Sequence, residues 1–121
     1  MYKIVFFHDK NGTSSIHEYI QDLSKKKGKD SRIKFNKVVS YIDELKLYGF
    51  HAGEPYIKHI EGEIWELRPL RDRIFFFCWC GNAFVLLHHF VKKTQKTPQK
   101  ELEQAKRNMM KFIERTDKNG K

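Results

Sequence analysis

Cysteine is close to absent. Cys78 and Cys80 are the only two in 121 residues. One residue apart in an extended run, they leave a strand on the same face, in poor geometry to bridge each other. A disulfide-stapled scaffold is therefore excluded, and a reducing compartment is the expected setting. No apolar run reaches the ~18–20 residues that span a bilayer. The apolar stretch after Met1 is too short for a secretory signal and lacks a small-residue cleavage site. The expectation is a cytoplasmic protein with no membrane partner. Also missing are a glycine-rich phosphate loop and a serine-nucleophile motif. Glu61, Glu63, Glu66 and Asp72 follow no recognisable metal-ligand spacing. Cys78 and Cys80 with His88 and His89 match no usual zinc site, because neighbouring histidines leave a strand in opposite directions. No metal and no cofactor are expected.

Acidic residues are in deficit: 15 against 24 Lys and Arg, a formal charge of +9. Such an excess points to a polyanionic partner, nucleic acid before an acidic protein or a membrane surface. Residues 91–121 carry 10 basic and 4 acidic side chains, two-thirds of the excess. A solvated basic helix is the plainer reading of that segment alone. Forty per cent of residues are hydrophobic and 14% aromatic, enough for one core in a chain of single-domain length, residues 1–121.

Tyr2 to His8 reads as a first strand, with Ile4 to Phe7 apolar on both faces, as in a strand buried inside a sheet. Ser15 with Glu18 has the capping-box spacing, and Ile16, Tyr19, Ile20 and Leu23 continue as a helix. A second helix, capped by Asp30 or Ser31, shows the stripe Phe35, Val38, Val39, Ile42 and Leu45 and ends at Gly49. Tyr56–Ile60 and Ile64–Arg68 read as extended around Glu61-Gly62-Glu63. Asp72–Cys80 is a dense strand, joined through a two-residue Gly81-Asn82 turn to Ala83–Lys92. Thr97-Pro98 opens a last helix with Leu102, Ala105, Met109 and Ile113 on one stripe, and 117–121 reads as a frayed tail. The fold class is a small α+β domain in the order β-α-α-β-β-β-α, a mostly antiparallel sheet with helices packed on it.

Period-two alternation puts Trp65 and Leu67 on one face and Glu66 and Arg68 on the other. Arg73, opening the next strand, is placed to join Arg68, and Glu66 to hold Arg68 by a carboxylate–guanidinium hydrogen bond. In His88-His89-Phe90-Val91-Lys92-Lys93 one histidine and one lysine join the arginine face, and alternation leaves open which. An imidazole can move a proton, and Lys or Arg can neutralise charge developing on a phosphate. The alternative is a set of ordinary surface ion pairs. Phe75, Phe77 and Trp79 are read as core before base-stacking platform.

Ile64-Trp65-Glu66-Leu67-Arg68-Pro69, Asp72-Arg73-Ile74-Phe75-Phe76-Phe77 and Leu87–Pro98 resemble the phage-derived HigB-like toxins of the RelE/ParE superfamily. The resemblance implies a microbial-RNase-like toxin of a toxin–antitoxin pair. Such a toxin cuts mRNA, usually on the ribosome, by metal-free attack of the ribose 2′-OH on the adjacent phosphate. Its expected partners are mRNA, the ribosome and a HigA-like helix-turn-helix antitoxin, with operator DNA reached only through the antitoxin. Residue by residue, the resemblance gives Arg73 and Lys93 to phosphate stabilisation, Arg68 to positioning, and His88 or His89 to proton transfer. RNA contacts fall to Lys58, His59, Arg71, Lys92 and Lys96. Where RelE toxins carry two lysines on the second strand, this chain has Ile64 and Glu66, which makes Lys58 or His59 a further candidate for the base. Two other readings stand beside this one: a ParE-like non-enzymatic inhibitor of DNA gyrase, and a plain basic nucleic-acid-binding module.

Overall fold

The run Ile74–Trp79 is apolar at nearly every position because the strand that carries it is covered on both sides. In the computed structural model, which describes residues 1–119, that run lies in β4 (Asp72–Trp79), the middle strand of a five-stranded sheet. The strand order is β1 (Lys3–Phe6), β5 (Ala83–Val91), β4, β3 (Ile64–Leu67), β2 (Ile57–Glu61). β1 runs parallel to β5, and the other three pairings are antiparallel. Ile74 and Phe76 turn to α1 (Ser15–Lys25) and α2 (Lys29–Tyr48), packing with Leu23, Val38, Leu45, Leu67 and Leu86. Phe75 and Phe77 turn to α3 (Gln99–Asn119), packing with Ile64, Leu87, Leu102 and Ala105. The two helical layers enclose the sheet, as the α+β reading expects.

The differences are local. Ile57–Glu61 is a full strand, so four strands rather than three stand between α2 and α3. Only Ile57 of this edge strand is buried, and a single inward residue leaves little apolar signal. Ser14, not Ser15, caps α1: its hydroxyl accepts from the His17 amide at 3.2 Å. α2 starts directly after Gly28 without a side-chain cap. α3 begins at Gln99, its first amides bonding back to the Pro98 carbonyl. The β4–β5 connection is Cys80-Gly81-Asn82, since Trp79 pairs with Ala83. Of the expected tail, residues 117–119 belong to α3, while Gly120 and Lys121 lie outside the described residues.

Gly49 ends α2 where the chain passes under the Tyr2 ring. Its φ is +58°, and a Cβ there would stand 2.6 Å from the ring. Gly49→Ala should therefore lose about 1–3 kcal/mol, from left-handed backbone strain and overpacking together. Urea unfolding monitored by circular dichroism would measure it, and an unchanged midpoint would refute the close approach.

Candidate functional site

Register sets a row of side chains across the face that α3 covers: Lys58 opposite Glu66, Glu66 opposite Phe75, Phe75 opposite His88. One step along, Arg73 stands opposite Phe90, and Arg68 follows β3. At this end of the sheet an open pocket of about 370 Å³ is lined by Arg68, Leu70, Arg71, Arg73, Lys92, Lys93, Thr94 and Gln95. Five of those eight are cations and none is acidic. Arg68, Arg73 and Lys93, expected on different strand ends, come together here with Arg71 and Lys92.

Glu66 holds this group from beneath. Only 1% exposed, it sets Oε2 at 3.2 Å from Arg68 Nε and 3.8 Å from Arg73 Nε. These are charge contacts rather than aligned hydrogen bonds: Glu66 Oε1 and both Nε atoms have no hydrogen-bond partner among the described residues. Burial pushes the Glu66 carboxyl above its ordinary range, outweighing the opposing pull of Arg73, Arg68, Lys92 and Lys58. Burial likewise lowers Arg73 from its ordinary value against the pull of Glu66, although an arginine keeps its charge in a protein. Arg73 Nη1 also donates to the carbonyls of Leu70 (2.9 Å) and Asp72 (2.8 Å), which ties the guanidinium to the turn before β4. One buried anion under five cations leaves a net positive, incompletely hydrogen-bonded cluster facing solvent. That arrangement favours a multiply charged oxyanion.

The other sequence candidates are distributed around this pocket. His88 is on the arginine face, where its Nε2 lies 2.6 Å from Glu101 Oε1 and pins α3 to β5. A bulge opposite Phe75 and Phe76 puts it there: Phe75 pairs with His88 and Phe76 with Leu86, so Leu87 is supernumerary and the alternation shifts by one. His89 faces α1 and bonds Asp72 Oδ1 at 3.0 Å. His59 pairs with Trp65, on the α1–α2 face, with Nε2 2.8 Å from the Gly62 carbonyl. Lys58 is exposed on the Glu66 side. Lys96 lies in the loop beyond the pocket, its carbonyl accepting from Thr94 Oγ1. Neither His88, His89, His59, Lys58 nor Lys96 lines the cation pocket.

Sequence reasoning missed the anchor behind the site. Asp72 is fully buried and accepts from Tyr19 OH at 3.0 Å as well as contacting His89, with Lys34 Nζ at 3.7 Å. The Tyr19 and His89 rings stack with centroids 3.9 Å apart. Burial works to raise the Asp72 carboxyl, yet the hydrogen bonds from His89 and Tyr19 and the charge of Lys34 hold it below its ordinary value. Burial and the Asp72 charge push the Tyr19 phenol well up. Four elements thus meet immediately before Arg73. The separation of 53 positions between Tyr19 and Asp72 hides the contact from any local pattern.

Among the described residues, no group of three or more His, Cys, Asp or Glu side chains is placed to hold a metal ion. No helix among them is long and apolar enough to cross a membrane. Compared with models of protein families, residues 18–110 match the one described as phage-derived protein Gp49-like (DUF891), a span that includes every residue of the cation pocket. No curated protein matches the chain.

Proposed function

The chain belongs to the Gp49-like family of phage-derived proteins, a RelE/HigB-like toxin-family domain, and from that premise we propose that it is the toxin of a toxin–antitoxin pair, a HigB-like endoribonuclease that cleaves mRNA without a metal. The observation that carries the reading is the pocket in which Arg68, Arg71, Arg73, Lys92 and Lys93 converge over buried Glu66. In the proposed reaction the ribose 2′-hydroxyl gives its proton to solvent as its oxygen attacks the adjacent phosphorus, and the bond to the 5′-oxygen breaks as that oxygen takes up a proton from solvent. The products are a 2′,3′-cyclic phosphate and a 5′-hydroxyl. Between them stands a pentacoordinate phosphorus carrying more charge than the ground-state diester. Cations fixed in advance around it lower the barrier, because they need no reorganisation when the charge develops. Arg73 and Lys93 take the phosphoryl oxygens, Lys92 adds charge beside them, and Arg68, held by Glu66, orients the diester. The lining has no imidazole, so the contribution of these residues is charge stabilisation and alignment rather than proton transfer.

The proposed partners are mRNA on the ribosome and a helix-turn-helix antitoxin of HigA type that silences the toxin and carries it to operator DNA, all in the cytoplasm. Expression under tight induction, followed by primer extension, tests the reading. Codon-phased new 5′ ends bearing hydroxyl groups are expected within minutes of induction. Intact transcripts accompanied by DNA damage would replace the nuclease with a gyrase inhibitor.

A further inference from the structure

Beside the cation pocket lies a second open groove, of about 310 Å³, lined by Asp30, Ile33, Lys34, Leu70, Arg71 and Val91. The two hollows share Leu70 and Arg71, so the turn before β4 forms the lip between them. One side of that lip is cationic. The other is floored by apolar side chains that remain unusually open: Ile33 is 43% exposed, Leu70 47% and Val91 38%. Resting on the nuclease reading above, we propose that this groove is a nucleobase subsite, which seats the base of a nucleotide neighbouring the scissile phosphate while the phosphate lies across the lip.

Three observations favour this occupant. A single-stranded nucleotide presents an anionic phosphate and a flat, weakly polar base separated by one ribose. The molecule presents the matching pair, a cation cluster and an apolar floor separated by one turn, with Arg71 serving both. The edge of the groove carries Asp30, an acceptor for a base amino group, and Lys34 and Arg71, donors for ring or carbonyl acceptors. Most telling is the backbone of Leu70, whose φ of +57° lies in the left-handed region. A branched apolar residue is strained there, where glycine or asparagine would not be. The strain is held by Arg73, whose Nη1 bonds the Leu70 carbonyl at 2.9 Å. The same guanidinium that faces the phosphate thus fixes the side chain that would underlie the base. Residues kept in disfavoured backbone regions cluster at ligand-binding sites, and an exposed leucine in such a place gains nothing for the fold.

The strain supplies a test that separates binding from folding. Leu70→Asn suits the left-handed backbone and removes the apolar platform. Its melting temperature should equal or exceed that of the wild type. The probes are a fluorescein-labelled 2′-O-methyl hexaribonucleotide, which cannot be cut, and the same oligomer with one abasic position at each site in turn, read by anisotropy on the full chain. The wild type should bind the intact oligomer more tightly than one of the abasic forms. Leu70→Asn, and separately Ile33→Ser, should weaken the intact oligomer about fivefold, the effect of uncovering part of one apolar contact, and erase the difference from that abasic form. Unchanged discrimination in both variants would overturn the subsite. So would unchanged RNA binding with lost antitoxin binding, which would assign the groove to a protein partner. Arg73→Ala keeps the two claims distinct. Under the nuclease reading it weakens intact and abasic oligomers alike. If it binds both as the wild type does, the phosphate site fails while any base discrimination stands on its own.

Discussion

Arg73→Ala should remove toxicity. Taking one fixed charge donor from the site of a developing oxyanion typically lowers a rate by about 10²–10³-fold, and Arg73 is the most enclosed pocket cation for which an ion pair is resolved, its side chain 12% exposed. The loss should appear as restored growth after induction and disappearance of the 5′ ends expected of the proposed nuclease, with the protein still folded by circular dichroism and still captured by the proposed antitoxin. The substitution also removes hydrogen bonds to Leu70 in the turn before β4 and to Asp72 at its start and takes one of the two guanidinium contacts from Glu66. Arg73→Lys distinguishes the chemical effect from the mechanical one. It keeps the positive charge beside Glu66 but not the planar fork, so its folding should be close to normal and its activity intermediate. A folded Arg73→Ala protein with full toxicity would remove the phosphate from this pocket.

Asp72→Asn should destabilise the fold by about 2–4 kcal/mol, because it withdraws the negative charge from a buried, hydrogen-bonded set and puts an amide donor where a carboxylate oxygen faces Lys34. Asp72 joins Tyr19 of α1, Lys34 of α2 and His89 of β5 to the start of β4, so the loss should show as a lower urea midpoint. It should also show in the pH dependence. The folded protein holds this carboxyl below its ordinary value of 3.8. Its stabilising contribution is therefore fully present above that value and disappears as pH falls through the lower folded-state one. In the asparagine variant that acid-side loss should be absent. Glu66 acts with the opposite sign. Its carboxyl is raised above 4.5 by burial, so folding is favoured as acid protonates it and disfavoured as pH rises through the raised value. The two carboxyls therefore act in separate pH windows, Asp72 below the ordinary carboxylate range and Glu66 above it. Superimposable wild-type and Asp72→Asn curves from pH 7 to strong acid would refute the anchoring role.

What could be read from the chain before its structure follows from how local each signal is. The unbroken apolar run in β4 announced burial on both faces, and both are covered. Trp65 and Leu67 separated from Glu66 and Arg68 by strict alternation, and that split puts Glu66 beside Arg68 and, on neighbouring β4, Arg73. Alternation leaves open which of His88 and His89 joins the arginine face, for a definite reason. The bulge at Leu87 inserts a residue, and nothing in a two-residue period signals an insertion. Asp72 gave no sign of its role, since its partners come from elements that only the tertiary fold assembles. Leu70 was silent as well: an unusual φ is a property of the turn, and leucine is not the residue by which such turns are recognised. The edge strand Ile57–Glu61 was legible as extended chain but not as a sheet member, because its partner β3, not its own composition, defines it.

The proposal that guanidinium and ammonium groups converge on one phosphate is most directly tested by a crystal structure of the protein with a dinucleotide whose 2′-oxygen is absent, so that the diester survives. Phosphoryl oxygens are expected within hydrogen-bonding distance of Arg68 and Arg73, with Lys92 or Lys93 closing the opposite side. A diester seated elsewhere on the molecule, with this pocket holding only solvent at saturating dinucleotide, would contradict it.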